Sequence, residues 1–159
     1  MTDSKKAVDK DIDKTELVAD EAALGDFNRA IVEEFRANGG KVGGPFEGGT
    51  LLLLHTTGAK TGAARVNPMV YRRDGDRYVV FASKAGAPTN PDWYHNLVVH
   101  PDVEAEIGTE TVPLRARVAE GAERERLWEA QKRDMPGFGQ YESKTSRQIP
   151  VVILEPRSE

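Results

Sequence analysis

The segment from His55 to Pro68 reads HTTGAKTGAARVNP and directly follows four leucines. Gly58 and Gly62 bracket Ala59, Lys60 and Thr61, and Arg65 comes three residues later. Glycine permits the tight backbone turns that bring N–H groups toward one point. A lysine tip and the planar fork of an arginine both suit a phosphate or a carboxylate. The stretch is therefore equipped to hold an anion. It is not the nucleotide P-loop, G-x-x-x-x-G-K-[ST], because Ala59 separates Gly58 from Lys60 and Leu53 stands where the first glycine belongs. It also runs into RVNPM, which reads as a strand, whereas a P-loop opens a helix. A plain hairpin loop with solvated charges is the competing reading, and these residues alone leave the two even.

A second stretch, SKAGAP from Ser83 to Pro88, repeats the theme. Lys84 and Gly86 make a turn at a strand end that suits another anion or a flat ring. Trp93 follows on a short helix, where such a residue is more often core than a stacking platform. Asn96 either bonds a ligand edge or caps a turn. A third stretch, MPGFGQYESKTSRQIP, reads as a loop carrying Phe138, Tyr141, Ser143 and Arg147. Loops with aromatics often form lids or pocket walls. The alternative is an irregular connection with Tyr141 packed on the body of the fold.

Other chemistries lack their residues. There is no cysteine, which removes disulfides, thiolate nucleophiles and cysteine-zinc sites and fits a reducing cytoplasm. His55, His95 and His100 lack metal-ligand spacing, so no metal is expected. Ser83 has no G-x-S-x-G context. A net charge of -4 and a pI of about 5.5 count against a general nucleic-acid binder. The charge is uneven, however. Lys60, Arg65, Arg72, Arg73, Arg77 and Lys84 face only Asp74, Asp76 and Asp92 between residues 56 and 92. A basic middle in an acidic chain suits a small anionic ligand. No apolar run spans a bilayer and no signal-peptide core is present, so a cytoplasmic location without a transmembrane segment is expected.

These stretches need elements to hold them. Residues 1–20 alternate in charge, bury little and read as a disordered or frayed tail. Residues 21–159 read as a single domain. Phe27, Ile31 and Phe35 form one helical stripe, ended by ANGGKVGGPFEGG. TLLLLHT reads as a buried strand. RVNPMVYRR and DRYVVFAS flank a DG turn as a hairpin. DVEAEIG and TVPLRARVAE alternate as half-exposed antiparallel strands, GAERERLWEAQKRDM is an amphipathic helix, and IPVVILEP is a last buried strand. Many short strands with turn signals predict a small barrel or sandwich with helices over its ends.

Together the motifs resemble the deazaflavin-dependent nitroreductase family. Its members typically read T-T-G-[RA]-K-[ST]-G-x-x-R-x-x-P, then S-K-G-G-x-x-x-x-P-x-W-x-x-N-L. Thr56 to Pro68 and Ser83 to Leu97 follow those patterns, and YESKTSRQIPVVIL resembles the C-terminal one. The likeness covers roughly residues 45–156. It implies a mainly β fold with flanking helices, a split β-barrel related to flavin-binding barrels. It implies coenzyme F420 as cofactor, an 8-hydroxy-5-deazaflavin with a phosphodiester and an oligoglutamate tail. Gly58, Ala59, Lys60, Thr61 and Arg65 would cradle the phosphate. Val66, Asn67, Pro68 and Met69 would line the ring side, and Ala82, Ser83, Lys84 and Gly86 the next edge. Trp93 and Asn96 would close the site. Tyr141 would lie over the ring. Ser83 and Tyr141 would act on the acceptor, a quinone, activated alkene or nitro compound. An FMN-dependent barrel enzyme and a non-catalytic F420 carrier are the alternatives. A monomer or weak dimer is expected. Ala85 stands where the family often has glycine, and Phe138 where nitroreductase members place tyrosine, so nitroimidazole reduction is not implied.

Overall fold

A computed structural model of the chain describes residues 21–40 and 51–157. The expected tail, residues 1–20, lies outside the described residues, as does most of the glycine-rich stretch after Ala37. In chain order the elements are helix α1 (Glu21–Ala37), strands β1 (Leu51–Thr57), β2 (Ala64–Asp74) and β3 (Arg77–Phe81), and a short 3-10 turn (Lys84–Gly86). Then follow helix α2 (Asp92–Val99), strands β4 (Asp102–Ile107) and β5 (Glu110–Val118), helices α3 (Gly121–Asp134) and α4 (Gly137–Ser143), and strand β6 (Val151–Pro156). The six strands close into an antiparallel barrel in the order β1-β2-β3-β6-β5-β4.

The run of four leucines follows from this architecture. Leu52 and Leu54 point into the barrel with Met69, Val80 and Leu114. Leu51 and Leu53 point out and pack on Ile31 and Phe35 of α1. A strand covered on both faces needs apolar residues at every position. The same holds for β6, where Val152 and Leu154 face inward and Val151 and Ile153 pack outward with Leu127 and Trp128 of α3. By contrast β4 and β5 have one wet face. They bury only alternate residues, Val103 and Ala105 on one and Leu114 and Ala116 on the other. The helices thus cover the barrel wall, and not just its ends. Arg36 fixes the end of α1 by donating to both carboxylate oxygens of Glu106 on β4, which His55 also contacts at 2.6 Å.

Far from the anion-suited loops, the β2–β3 hairpin turns at Gly75 with φ 66. Asp74 there accepts from Arg77 and Arg126, and Glu123 of α3 accepts from Arg117 and Arg77. These arginines hold both carboxyl groups at about 2. The network fastens α3 across the hairpin.

The stretch from Met135 to Pro150 corrects the loop expectation, because Gly137 to Ser143 form α4. Its two glycines weaken an isolated helix, and packing decides otherwise. Phe138 is buried, with ring centroids 5.7 Å from Phe81 and 6.2 Å from Trp128. Glu142 accepts from Trp128 Nε1 at 2.7 Å and from Lys132 Nζ at 3.0 Å. Tyr141 therefore rides on a docked helix.

Candidate functional site

Antiparallel order brings the motif residues to one rim. The C-terminal ends of β1, β3 and β5 alternate there with the N-terminal ends of β2, β6 and β4. Residues 58–63, 82–101 and 119–150 all leave from that rim.

Residues 58–63 connect β1 to β2 as a hairpin loop. The Gly58 amide donates to Ala63 O at 2.7 Å, and the Gly62 amide to Gly58 O at 2.9 Å. A side chain on Gly58 would meet Thr61 Oγ1 at 2.7 Å, and Gly62 has φ 72, so the tight shape uses both glycines. Their N–H groups are thus spent inside the loop instead of converging on a ligand. The loop's outward offer is its cations. Lys60 and Arg65 are exposed, and among the described residues neither has a hydrogen-bonding or ion-pair partner. Most other arginines of the described chain are paired with a carboxylate, as Arg36, Arg72, Arg77, Arg115, Arg117 and Arg126 are.

Asn96 holds the loop down. Its Oδ1 accepts from the Ala59 amide at 2.9 Å, and its Nδ2 donates to Thr56 Oγ1 at 3.3 Å. It is 7 % exposed. Neither expected role, ligand edge or turn cap, describes these bonds. Asn96→Ala leaves a buried donor and acceptor unpaired and is expected to cost about 1–2 kcal/mol of stability. Urea unfolding measures it, and a variant as stable as the parent refutes the tether.

The second motif stretch forms a left-handed turn. Strand β3 ends at Phe81, Ser83 is helical with φ -77 and ψ -35, and Lys84 has φ 47. Ser83 is 8 % exposed, and its hydroxyl caps nothing. Among the described residues Lys84 Nζ reaches only Thr89 Oγ1, at 3.3 Å. Gly86 has φ 82, and a Cβ there would meet Tyr141 O at 2.9 Å. The turn and α4 thus touch backbone to backbone. Tyr141, half-buried, packs edge-to-face on Phe138 at 5.4 Å.

Sequence reasoning gave Arg147 no role, yet it binds this whole segment. Its guanidinium donates to Ala82 O (3.1 Å), Ser83 O (2.8 Å), Ala87 O (3.0 Å) and Asn90 Oδ1 (2.7 Å). Burial alone lowers its pKa from the usual value. The available signal was a lone cation just before a buried strand, in RQIPVVIL.

Not every expected residue shares the rim face. Successive strand residues alternate sides, so Val66, Asn67, Pro68 and Met69 cannot line one surface. Val66 packs outward on the α1 cluster, and Met69 points into the barrel core. Trp93 packs against that same core. Lys60, Ser83, Lys84, Gly86 and Tyr141 remain on the rim loops and α4, and Arg65 is the second residue of β2 at the same rim. Of two surface clefts, one of about 210 Å³ lies between α1 and the β4–β5 turn and one of about 200 Å³ lies at the rim between α2 and the end of β5, and none of these six residues lines either. Among the described residues no three His, Asp or Glu side chains are placed to hold a metal.

The arrangement offers cations for an anion at one loop, and a hydroxyl and an aromatic at the next. Comparisons with known proteins agree with that chemistry. A family model described as F420H(2)-dependent quinone reductase matches residues 27–156. An F420H(2)-dependent quinone reductase of Mycobacterium tuberculosis is 41% identical over 127 residues, 77% of this chain and 85% of that protein. A solved structure of an F420-H2 dependent reductase superposes with a TM-score of 0.61 at 38% identity, covering 67% of this chain and 94% of that one. Another, described as a domain-swapped dimer, gives 0.62 at 38% identity over 67% and 80%. With a match that runs through the barrel and every rim loop, the chain belongs to the F420H(2)-dependent quinone reductase family.

Proposed function

We propose that this protein reduces quinone-like acceptors with reduced coenzyme F420, held across the barrel rim. One observation carries the reading: Lys60, in the β1–β2 loop, and Arg65, at the start of β2, are exposed cations without partners among the described residues, whereas most other described arginines are paired. The donor set fits a ligand with a phosphodiester and a carboxylate tail, because both groups accept from lysine and from the arginine fork. When bound, the cofactor supplies a hydride from its deazaflavin ring, and a proton completes the reduced acceptor.

The chain's own residues bind and orient. Lys60 and Arg65 grip the anionic end, with Thr61 beside them. Asn96 fixes that loop from below, and Gly58 and Gly62 set its curvature. The Ser83–Gly86 turn makes the ring edge, with the Ser83 hydroxyl free to donate to the acceptor oxygen. Tyr141 forms the wall opposite that turn and excludes water. Val66, Met69 and Trp93 support the strands and helix that carry these groups. The protein works as a monomer or weak dimer in the cytoplasm. No described helix is long and apolar enough to cross a membrane.

Fluorescence titration with F420 and, separately, with FMN tests the reading, followed by turnover of menadione and a nitro and coumarin panel. Binding of F420 over FMN with quinone turnover is expected. Preference for FMN would identify a flavin enzyme, and tight F420 binding without turnover would identify a carrier.

A further inference from the structure

Arg147 is a half-buried cation whose partners among the described residues include no carboxylate. Four of its donors go to Ala82 O, Ser83 O, Ala87 O and Asn90 Oδ1, so one side chain grips the rim segment from Ala82 to Asn90. No local sequence pattern requires that grip. The turn already has its own bonds, from the Gly86 amide to Ser83 O at 2.9 Å and from the Ala87 amide to Lys84 O at 3.0 Å.

The consequence lies on the other side of the peptide planes. In a trans peptide the C=O of one residue and the N–H of the next point in opposite directions. Arg147 draws the carbonyls of Ala82 and Ser83 toward itself, which turns the amides of Ser83 and Lys84 away from it. Ser83 is right-handed helical and Lys84 left-handed, the pairing in which successive amides form a concave, electropositive nest. Among the described residues neither amide has an acceptor. The Ser83 hydroxyl, carried by the first residue of that nest, also has no hydrogen-bond partner among the described residues.

We propose that Arg147 is a positioning residue for the reaction: it fixes two peptide planes so that the Ser83 and Lys84 amides, with the Ser83 hydroxyl, present donors to a carbonyl oxygen of the acceptor. A quinone oxygen gains negative charge as it is reduced, and donors set in place beforehand stabilise that charge. This rests on the reading of the rim as a deazaflavin and quinone site. Lysine at 147 keeps the charge but loses the planar fork that serves four acceptors at once.

The test compares Arg147→Lys, Ser83→Ala and the double variant with the parent. Arg147→Lys is expected to lower kcat for menadione at least tenfold. The F420 Kd should move less than threefold, because the Lys60–Arg65 loop is untouched. Amide hydrogen exchange without cofactor should accelerate within residues 82–90 and not in β1 or β4. In the double variant Ser83→Ala should add little to the loss, since both changes remove the same oxygen contact. Asn90→Ala, which deletes a single acceptor, should shift kcat in the same direction by a smaller factor and keeps the test alive if Arg147→Lys does not fold. Parental kcat in Arg147→Lys, or fully additive losses with Ser83→Ala, overturns the proposal. A parent that binds no F420 overturns the functional reading beneath it, whatever the variants do.

Discussion

Replacing both Lys60 and Arg65 by alanine is expected to weaken coenzyme F420 binding about a hundredfold while leaving the fold intact. Each side chain would contribute a charge-assisted hydrogen bond worth about 1.5–3 kcal/mol, and the lower end applies because both tips remain exposed to water. Two losses of about 1.5 kcal/mol give roughly two decades in Kd. Stability should stay near the parent's, since neither cation has a partner among the described residues to lose. The salt dependence adds a second readout. Exposed charges are screened over about 8–10 Å at physiological ionic strength, so parental affinity should fall as salt rises and the double variant should respond less. A fluorescence titration with parental Kd in the double variant would remove the loop from the site. A variant that loses affinity only because it unfolds would show a lowered melting midpoint.

How legible was this site in the sequence? The exposure of Lys60 and Arg65 was, because a glycine-bracketed turn and the strand end after it leave charged tips in water. The expected use of the glycine amides was not. Whether a loop N–H points out or bonds inward depends on closure, and here Gly58 and Gly62 bond inward. The expected set Val66 to Met69 divides between two sides for a simpler reason: the resemblance is linear, and a strand divides consecutive residues between two faces. Asn96 and Arg147 act through contacts 37 and 57–65 residues away in sequence, which no local pattern reveals.

The fold was more readable. Alternation in β4 and β5 and the continuous apolar runs of β1 and β6 follow from which barrel walls the helices cover. Helix α4 was missed because Gly137 and Gly139 read as loop formers. Its order comes from Phe138 against Phe81 and Trp128, and from Glu142 held by Trp128 and Lys132.

That helix sets up the second large effect. Gly86→Ala is expected to displace α4 and to reduce turnover by more than its loss of stability accounts for. The residue has φ 82, where an L side chain is strained. The added Cβ would stand 2.9 Å from Tyr141 O, 3.2 Å from Tyr141 Cα and 2.9 Å from Lys144 Cβ. Two of those neighbours are backbone, so no rotamer change relieves the contact. Strain of about 1–3 kcal/mol at the backbone and about 1–3 kcal/mol of overpacking together give a cost of about 2–6 kcal/mol. Relief comes from whichever partner yields more easily. Arg147 ties down the turn with four hydrogen bonds, whereas α4 is seven residues long. The helix therefore moves and takes Tyr141 with it. The melting midpoint should fall by several degrees, kcat for a quinone should fall at least tenfold, and the F420 Kd should change far less than in the Lys60 and Arg65 double variant. Gly139→Ala is the control on the same helix, because its Cβ would meet only Lys132 Cδ, at 3.7 Å. That change should be neutral, or stabilising by about 0.5–1 kcal/mol through better helix propensity. If Gly86→Ala matches Gly139→Ala in both stability and turnover, the contact between the turn and α4 does not place Tyr141.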